Sequence, residues 1–238
     1  MLAATFPLLP SWTSAQGSGQ GFLFERPTFQ VGIHGGYTVA RAGGPVLDFA
    51  RNELTLNKRD FDASSWGLQL AVRSSERLDI AFDVRYSRSK AGSEMRDWVD
   101  QDDLPIQQTT TFIRVPVTVS AKFYLLDRGR SISQFAWIPA KWAPFVGAGG
   151  GLLWYRFEQA GDFVDIVTLD VVNFILESSG WTPTGHVFAG VDISINPRFL
   201  WTLEARYGFG RAETGSAFAF DTLDLNGFQA TIGLSTRF

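Results

Sequence analysis

Cysteine is absent from this sequence of 238 residues, and histidine occurs only twice. Without cysteine, the chain can form no disulfide framework, no thiolate nucleophile and no cysteine-based metal site. The net charge of -3 leaves no basic stripe that could neutralise nucleic-acid phosphates, so no nucleic acid is expected as a partner. No run of 18 or more apolar residues occurs. This absence excludes a helical membrane span and leaves open a span made of β-strands, whose sequences show only alternation.

Aromatic residues and glycine are abundant. The chain contains 21 Phe, 8 Trp and 24 Gly, while charged residues make up only 19%. This composition favours β-structure with an extensive apolar or interfacial surface. The first residues, MLAATFPLLPSWTSAQ, combine a short apolar segment with Thr13-Ser14-Ala15 but lack a basic start. We therefore expect residues 1–27 to be a signal-peptide-like segment, cleaved after Ala15, or an N-terminal tail, and residues 28–238 to form one domain.

Eight segments alternate between apolar and polar residues with a period of two, which is the pattern of β-strands. The third segment is the clearest, because Phe82 and Val84 face one way whereas Asp83 and Arg85 face the other. The fifth segment, APFVGAGGGLLWYRF, is so rich in glycine that its faces cannot be assigned. The eight segments begin near Phe29, Trp66, Leu78, Ile113, Ala143, Val187, Phe199 and Phe228.

The connections between these segments alternate in length. Long polar loops are predicted near residues 41–62, 88–108, 158–180 and 211–226. The other connections are tight turns at 74–77 and 196–198 and a moderate connection at 127–141. Long loops at one end and turns at the other are typical of an up-and-down barrel. The sequence therefore predicts an all-β fold, an eight-stranded antiparallel up-and-down β-barrel.

The lengths and charges of the two faces indicate which one points outward. A soluble barrel would bury its apolar face, but each apolar face spans about 9 to 11 residues, the length that a tilted strand needs to cross a bilayer. The polar faces contain glycines and charges of both signs, which suit the narrow interior of eight strands. His34 and His186 lie on these faces and are expected to form interior hydrogen bonds. We therefore predict a transmembrane barrel with an interior polar network of Asp79, Asp83, Arg85, Arg114, Lys122, Asp192, Glu204 and Arg206.

The chain from about Phe29 onward resembles a known family over nearly its whole length, and three stretches carry the resemblance. The last residues, GFQATIGLSTRF, with Thr231, Gly233 and the aromatic Phe238, resemble the C-terminal assembly signal of bacterial outer-membrane β-barrels. Thr236 stands where that signal usually has a hydrophobic residue. RVPVTVSAKFYL and APFVGAGGGLLWY are similar to the fourth and fifth strands of the eight-stranded barrels related to the transmembrane domain of outer-membrane protein A.

The resemblance implies a location and a set of partners. These are the bacterial outer membrane, with its lipid and lipopolysaccharide, and the barrel assembly machinery. The resemblance leaves the role of the chain open, because this fold has structural, adhesive, transport and enzymatic members.

The predicted loop end of the barrel is acidic. The four long loops contain 8 basic and 17 acidic residues. Such a rim is solvated without any ligand, or it binds divalent cations that bridge to anionic lipid head groups.

One of these loops, GDFVDIVTLDVVNFILESSG at 161–180, is unusually apolar. Its spacing suggests an amphipathic helix, while its β-branched residues also permit an extension of the fifth and sixth strands. In either form, its apolar side chains are candidates for a surface that contacts a protein partner. The residues concerned are Val164, Val167, Val171 and Ile175.

No set of residues indicates catalysis. The GAGGG stretch at 147–151 has the wrong spacing for a dinucleotide-binding loop, and neither histidine has converging partners in the sequence. We expect no enzyme activity, no cofactor and no metal, and a structural or interaction role for the barrel. Passive transport of small or hydrophobic molecules is the alternative, and a soluble ligand-binding barrel is a more distant one.

Overall fold

Eight long antiparallel strands form a closed ring in the computed structural model, which describes residues 21–100, 102–164, 170–213 and 222–238. The elements are β1 (Phe29–Ala40), α1 (Pro45–Glu53), a 3-10 helix (Lys58–Phe61), β2 (Ala63–Arg73), β3 (Leu78–Val99), β4 (Pro105–Tyr124), β5 (Gly129–Ser133), β6 (Ala136–Pro139), β7 (Trp142–Val164), β8 (Val171–Ser194), β9 (Phe199–Glu213), β10 (Thr222–Asp224) and β11 (Gly227–Arg237). The ring runs β1-β2-β3-β4-β7-β8-β9-β11, and β1 closes it by pairing with β11. The predicted eight-stranded antiparallel up-and-down barrel is confirmed.

The apolar face of the barrel points outward. On β3, Phe82 and Val84 are exposed, whereas Asp83 and Arg85 are buried. The soluble-barrel alternative is therefore wrong, because it requires the opposite orientation. The structure also assigns the faces of the glycine-rich β7, where Phe145 points into the lumen and Val146 points outward.

Exposed aromatic side chains form a girdle at each end of the apolar exterior. Phe199 and Phe209 are ten residues apart on β9. At about 3.3 Å per residue and a strand tilt of about 40°, this separation gives an apolar band roughly 25 Å tall. The girdle near the turns contains Phe29, Phe123, Trp142, Phe199 and Phe238, and the girdle near the loops contains Tyr37, Trp66, Tyr86, Trp181, Phe209 and Phe228.

Four strands continue well beyond the girdle near the loops. β3 pairs with β4 as far as Val99 and Pro105, with an irregularity after Glu94, and β7 pairs with β8 as far as Val164 and Val171. The predicted loops at 88–108 and 158–180 are therefore wrong in large part, because most of these residues lie in strands. Their alternation is weak because outside the bilayer the outward face need not be apolar.

The amphipathic helix considered for 161–180 is not formed by the residues that the structure describes there. Val164 ends β7, Val171 begins β8 opposite it, and Ile175 lies in β8 opposite Ala160. The helix prediction is wrong and the alternative, an extension of the two strands, is correct. β-branched residues favour a strand, and the two strands pair with each other as they extend. Val167 lies outside the described residues.

The connection between β1 and β2 contains two helices where the sequence predicted only a polar loop. Pro45 begins α1, a position that suits proline because the first amide groups of a helix have no partner within it. Asp48 in the first turn and Arg51 in the last favour the helix dipole. Among the described residues, no helix is long and apolar enough to cross a membrane.

The connection at 127–141 is also more structured than a simple turn. β5 and β6 form a small hairpin near the turn end of the barrel. Trp137 of this hairpin is buried, and its backbone exchanges hydrogen bonds of 2.8 Å with Leu23. The guanidinium of Arg237 lies 5.8 Å from the centre of the Trp137 ring. The hairpin therefore covers the lumen on this side.

Candidate functional site

Four charged side chains meet near the middle of the lumen. Glu204 Oε1 accepts hydrogen bonds from Arg85 Nη2 at 2.8 Å and from Arg206 Nε at 2.9 Å. Asp83 Oδ1 accepts one from Arg85 Nη2 at 3.1 Å and lies 3.4 Å from Arg206 Nη2. All four side chains are buried, and two cations face two anions. We call Asp83, Arg85, Glu204 and Arg206 the central quartet.

Two amides extend the central quartet across the barrel. Gln69 Nε2 donates to Asp83 Oδ1 at 3.2 Å, and Arg85 Nη1 donates to Gln229 Oε1 at 2.7 Å. Sequence reasoning missed both glutamines, because a neutral amide on a polar face carries no signal of its partner.

A second ion pair lies closer to the turn end. Lys122 Nζ donates to Asp192 Oδ2 at 2.9 Å, and Tyr124 donates to the same oxygen at 2.8 Å. Thr202 Oγ1 donates to the other carboxylate oxygen at 2.8 Å. The ammonium group also lies 3.8 Å from the centre of the Phe145 ring. The structure thus brings together Lys122 and Asp192 of the predicted network and adds Tyr124 and Thr202, which the sequence did not single out.

Asp79 pairs with a residue from outside the barrel strands. Arg128 Nη1 lies 2.6 and 2.7 Å from its two carboxylate oxygens, and the same guanidinium donates to the backbone carbonyls of Ser75 and Glu76. Arg128 follows β4 in the 127–141 connection. Arg128 was not predicted as a partner of Asp79 because it lies outside the alternating strand segments.

Arg114 stands apart from the other predicted charges. Its Nη2 donates to the backbone carbonyl of Phe61 at 3.1 Å, and its guanidinium lies 4.8 Å from the centre of the Phe112 ring. The side chain is buried, yet it forms no ion pair with any carboxylate of the described residues. Of the eight residues predicted for the interior network, Arg114 is the one without an ionic partner.

The two histidines have different surroundings. His186 Nε2 lies 2.8 Å from Ser120 Oγ, so the two groups share a hydrogen bond. His34 is buried on β1, and neither of its ring nitrogens has a partner among the described residues. Gly233 lies beside it: a Cβ at this position would be only 2.5 Å from His34 Nδ1. The glycine therefore leaves the space that the imidazole fills.

The residues of the predicted assembly signal lie on both faces of β11. Thr231 is buried on the lumen side, as is Gly233, whereas Phe238 is exposed on the outside. The Phe238 ring stacks on Phe29 with 4.8 Å between ring centres. The Phe238 backbone exchanges hydrogen bonds with Thr28 and Phe29, which joins the end of the last strand to the start of the first.

A cluster of buried apolar side chains fills the loop end of the lumen. The side chains come from α1, from the segment that follows it, and from the inward faces of β4, β7 and the β10 region. We call this group the mouth cluster. Its larger members are Leu47, Leu54, Leu56, Phe61, Phe112, Leu153, Tyr155, Phe157, Leu223 and Leu225.

In the part of the chain that the structure describes, no three histidine or acidic side chains are grouped so that they could hold a metal ion. The carboxylates of the lumen are instead engaged by arginine, lysine and hydroxyl groups. The arrangement is chemically suited to filling the barrel and fixing its strands.

The exterior and interior together identify the setting of the barrel. An apolar band roughly 25 Å tall, aromatic girdles at both ends and a polar interior are the features of transmembrane barrels of bacterial outer membranes. The chain is therefore a transmembrane barrel located in such a membrane.

No protein-family model matches the chain, and no curated protein does. Among solved structures, Neisserial surface protein A is 12% identical with a TM-score of 0.48, over 88% of this chain and 97% of that chain. The outer-membrane protein OprG from Pseudomonas aeruginosa is 12% identical with a TM-score of 0.46, over 91% and 99%. Ail, the attachment invasion locus protein of Yersinia pestis, is 11% identical with a TM-score of 0.45, over 89% and 99%. At these identities and TM-scores, no function can be inferred for this chain from any of these proteins.

Proposed function

We propose that the barrel has a structural or interaction role in the outer membrane, without channel or enzyme activity. The observation that supports this role is closure of the lumen at two levels. The central quartet lies across its middle, and the mouth cluster fills its loop end. A path for a solute would have to break buried ion pairs and displace packed apolar side chains, and both are costly.

Conductance tests the proposal against passive transport, the competing function. Purified protein is refolded, inserted into planar bilayers and compared with a general porin that is inserted in the same way. The expected result is no steady single-channel current from this barrel under conditions in which the porin conducts. Steady currents from the pure protein would favour transport of small molecules instead.

The interaction part of the role is assigned to the hairpin of β7 and β8 beyond the membrane. Val172, Phe174 and Ile175 are exposed there, and Ile175 has 63% of its surface accessible. The Phe163 and Phe174 rings lie 4.6 Å apart and stiffen the hairpin. Val172 and Phe174 lie on one face of β8 and Ile175 on the other, and exposed apolar side chains outside the bilayer are a typical contact surface for a protein partner.

A photo-crosslinking residue at Ile175 tests this surface in intact cells. The matched control is the same residue at Val187, which is exposed on the lipid side of β8. The expected result is a protein adduct from position 175 only, and its loss when Val171→Ser, on the same face of β8, is added. Adducts at both positions or at neither would count against a partner on the hairpin.

Lipopolysaccharide is the lipid partner proposed for the acidic loop end. Glu94, Asp97 and Asp102 are exposed there, and carboxylates of this kind hold divalent cations that bridge to anionic head groups. Lipopolysaccharide should copurify with the barrel in the presence of Mg²⁺ and separate from it after chelation. Copurification that is unchanged by a chelator and by Asp→Asn substitutions would contradict the bridging role.

A further inference from the structure

A small space lies in the lumen between the central quartet and the mouth cluster. Its volume is about 80 Å³. Arg85 and Arg206 line it on the quartet side, Leu153 and Leu225 on the mouth side, and Arg114 and Thr118 along the wall of β4. Three guanidinium groups therefore line one small cavity, and no carboxylate is among its lining residues.

The charges of Arg85 and Arg206 are balanced by Asp83 and Glu204, whereas Arg114 forms no ion pair with any carboxylate of the described residues. Arg114 has a carbonyl and an aromatic ring as its neighbours, and its Nε has no hydrogen-bond partner among the described residues. The charge of Asp62, which directly follows Phe61, acts on Arg114 from a distance, but its Oδ1 accepts a hydrogen bond from the amide of Ala40 and the two side chains form no ion pair. A buried cation whose donors lack a directly bonded counter-ion is unfavourable in a folded protein.

The hydroxyl group of Thr118 is a second unpartnered group at the same cavity. Its side chain is buried, and its Oγ1 has no hydrogen-bond partner among the described residues. A hydroxyl can donate to an anion, and a guanidinium presents a planar set of donors that matches oxyanions. An oxyanion in the cavity could therefore accept hydrogen bonds from both unpaired groups, Arg114 Nε and Thr118 Oγ1.

The size of the cavity limits the ligand. One water position needs roughly 10 to 15 Å³ of such volume, so 80 Å³ holds about five to eight heavy atoms. A tetrahedral oxyanion has five. We propose that the lumen of this barrel contains a binding site for a small inorganic oxyanion, such as phosphate or sulfate, with Arg114 as its principal ligand and Thr118 as a second donor.

Unfolding in urea with and without phosphate tests this site. The protein is refolded in octyl glucoside, which contains no phosphate, and the anion is added before refolding so that access past the mouth cluster does not limit binding. Chloride at matched ionic strength is the reference. The wild type is expected to unfold at a higher urea concentration in phosphate than in chloride, and ³¹P line broadening should report the bound anion.

Arg114→Gln is the decisive variant, because it removes the charge and keeps a hydrogen-bond donor for the Phe61 carbonyl. We expect its affinity for phosphate to fall at least about tenfold, and Thr118→Val to weaken binding less. In chloride, Arg114→Gln should be as stable as the wild type or more so. Arg156→Gln, which removes an arginine from the β7–β8 hairpin, should bind phosphate like the wild type.

Two results would overturn the site. A wild type that shows neither stabilisation by phosphate nor ³¹P broadening has no such site, and equal stabilisation of the wild type and Arg114→Gln would place the anion elsewhere. The conductance experiment is independent of these results, since an anion site in the lumen requires no open channel.

Discussion

Arg206 and Glu204 are two positions apart on β9, so strand alternation points both side chains into the lumen. Arg206→Met would leave two carboxylates facing one guanidinium in the central quartet. We expect a loss of about 3 to 5 kcal/mol in the free energy of unfolding if the site stays dry, and less if lumen water screens it. Glu204→Gln in the same chain should recover part of the loss, because it restores neutrality. Urea unfolding in lipid vesicles of the wild type, the two single variants and the double variant measures the coupling between the two residues.

A charge on the outer face should behave differently. Val84 is next to Arg85 but points toward the lipid. Val84→Arg is expected to cost about 2 to 4 kcal/mol near the bilayer midplane, and Glu204→Gln should not rescue it, since the cost arises from lipid exposure. A tolerated Val84→Arg together with a damaging Val84→Leu would contradict the outward assignment of this face.

The contact between Gly233 and His34 gives a second prediction for single residues. Gly233→Ala would place a methyl group 2.5 Å from His34 Nδ1 and 2.9 Å from the Ile33 carbonyl oxygen. Overpacking of this kind is expected to destabilise the barrel by about 1 to 3 kcal/mol. Gly208→Ala is the matched control, because its new methyl group would have the Gly227 carbonyl oxygen as its nearest neighbour, at 4.0 Å. Equal unfolding midpoints for the two variants would show that the imidazole moves aside freely.

Alternation predicted which charged residues face the lumen, but it could not predict which of them meet. Asp79 and Lys122 lie directly opposite each other on β3 and β4, yet Asp79 pairs with Arg128 and Lys122 with Asp192. Contacts across a barrel depend on the tilt and stagger of all its strands, and these quantities are not encoded in any single segment. The same reason explains why the isolation of Arg114 was not foreseen.

At the scale of elements, the membrane-spanning parts of the strands could be predicted and the parts beyond them could not. Inside the bilayer, lipid on one side and a narrow polar lumen on the other force a strict period of two. Beyond Tyr86 on β3 or Trp154 on β7, neither face has to be apolar, so the pattern fades although the pairing continues. The sequence does contain two indications of α1, the proline at its start and the helical spacing of the apolar residues Val46 and Ala50. In a helix of only nine residues, such indications are too weak for a prediction.

The end of β11 carries a prediction about assembly. If Phe238 is part of the predicted assembly signal, its deletion should reduce insertion into the outer membrane strongly. Deletion also removes the backbone hydrogen bonds to Thr28 and Phe29, so Phe238→Ala is the sharper variant. It should lower the amount of folded barrel in isolated outer membranes while it leaves those hydrogen bonds in place.

Phe29→Ala provides the control, since it removes the same ring stack from the other strand. If recognition of Phe238 is responsible, Phe29→Ala should insert at close to the wild-type level. Equal losses for Phe29→Ala and Phe238→Ala would mean that the stacking contact matters and the signal does not. Normal accumulation of the deleted chain would refute the assembly signal directly.

At the scale of the whole molecule, the strands on one side of the barrel are longer than those on the other. β3, β4, β7 and β8 extend beyond the loop-end girdle, and α1 packs beside this extension, with Leu54 bridging to Met95 of β3. The long strands also contribute to the mouth cluster from one side. Phe112 of β4 and Phe157 of β7 belong to the cluster, and their ring centres lie 5.8 Å apart. The same strands therefore carry the β7–β8 hairpin at their outer ends and residues of the mouth cluster closer to the membrane.

Closure at two successive levels predicts how the barrel responds when only one level is removed. Leu47→Ser with Phe61→Ser should loosen the mouth cluster, in which both side chains are fully buried, but the central quartet would still cross the lumen. We expect no steady current in planar bilayers from this variant. Adding Arg85→Ala and Glu204→Ala removes one cation and one anion, keeps the quartet neutral and should produce measurable currents. Heat-dependent migration on gels would check that each variant is folded. Steady current from the mouth variant alone would mean that the central quartet does not close the lumen.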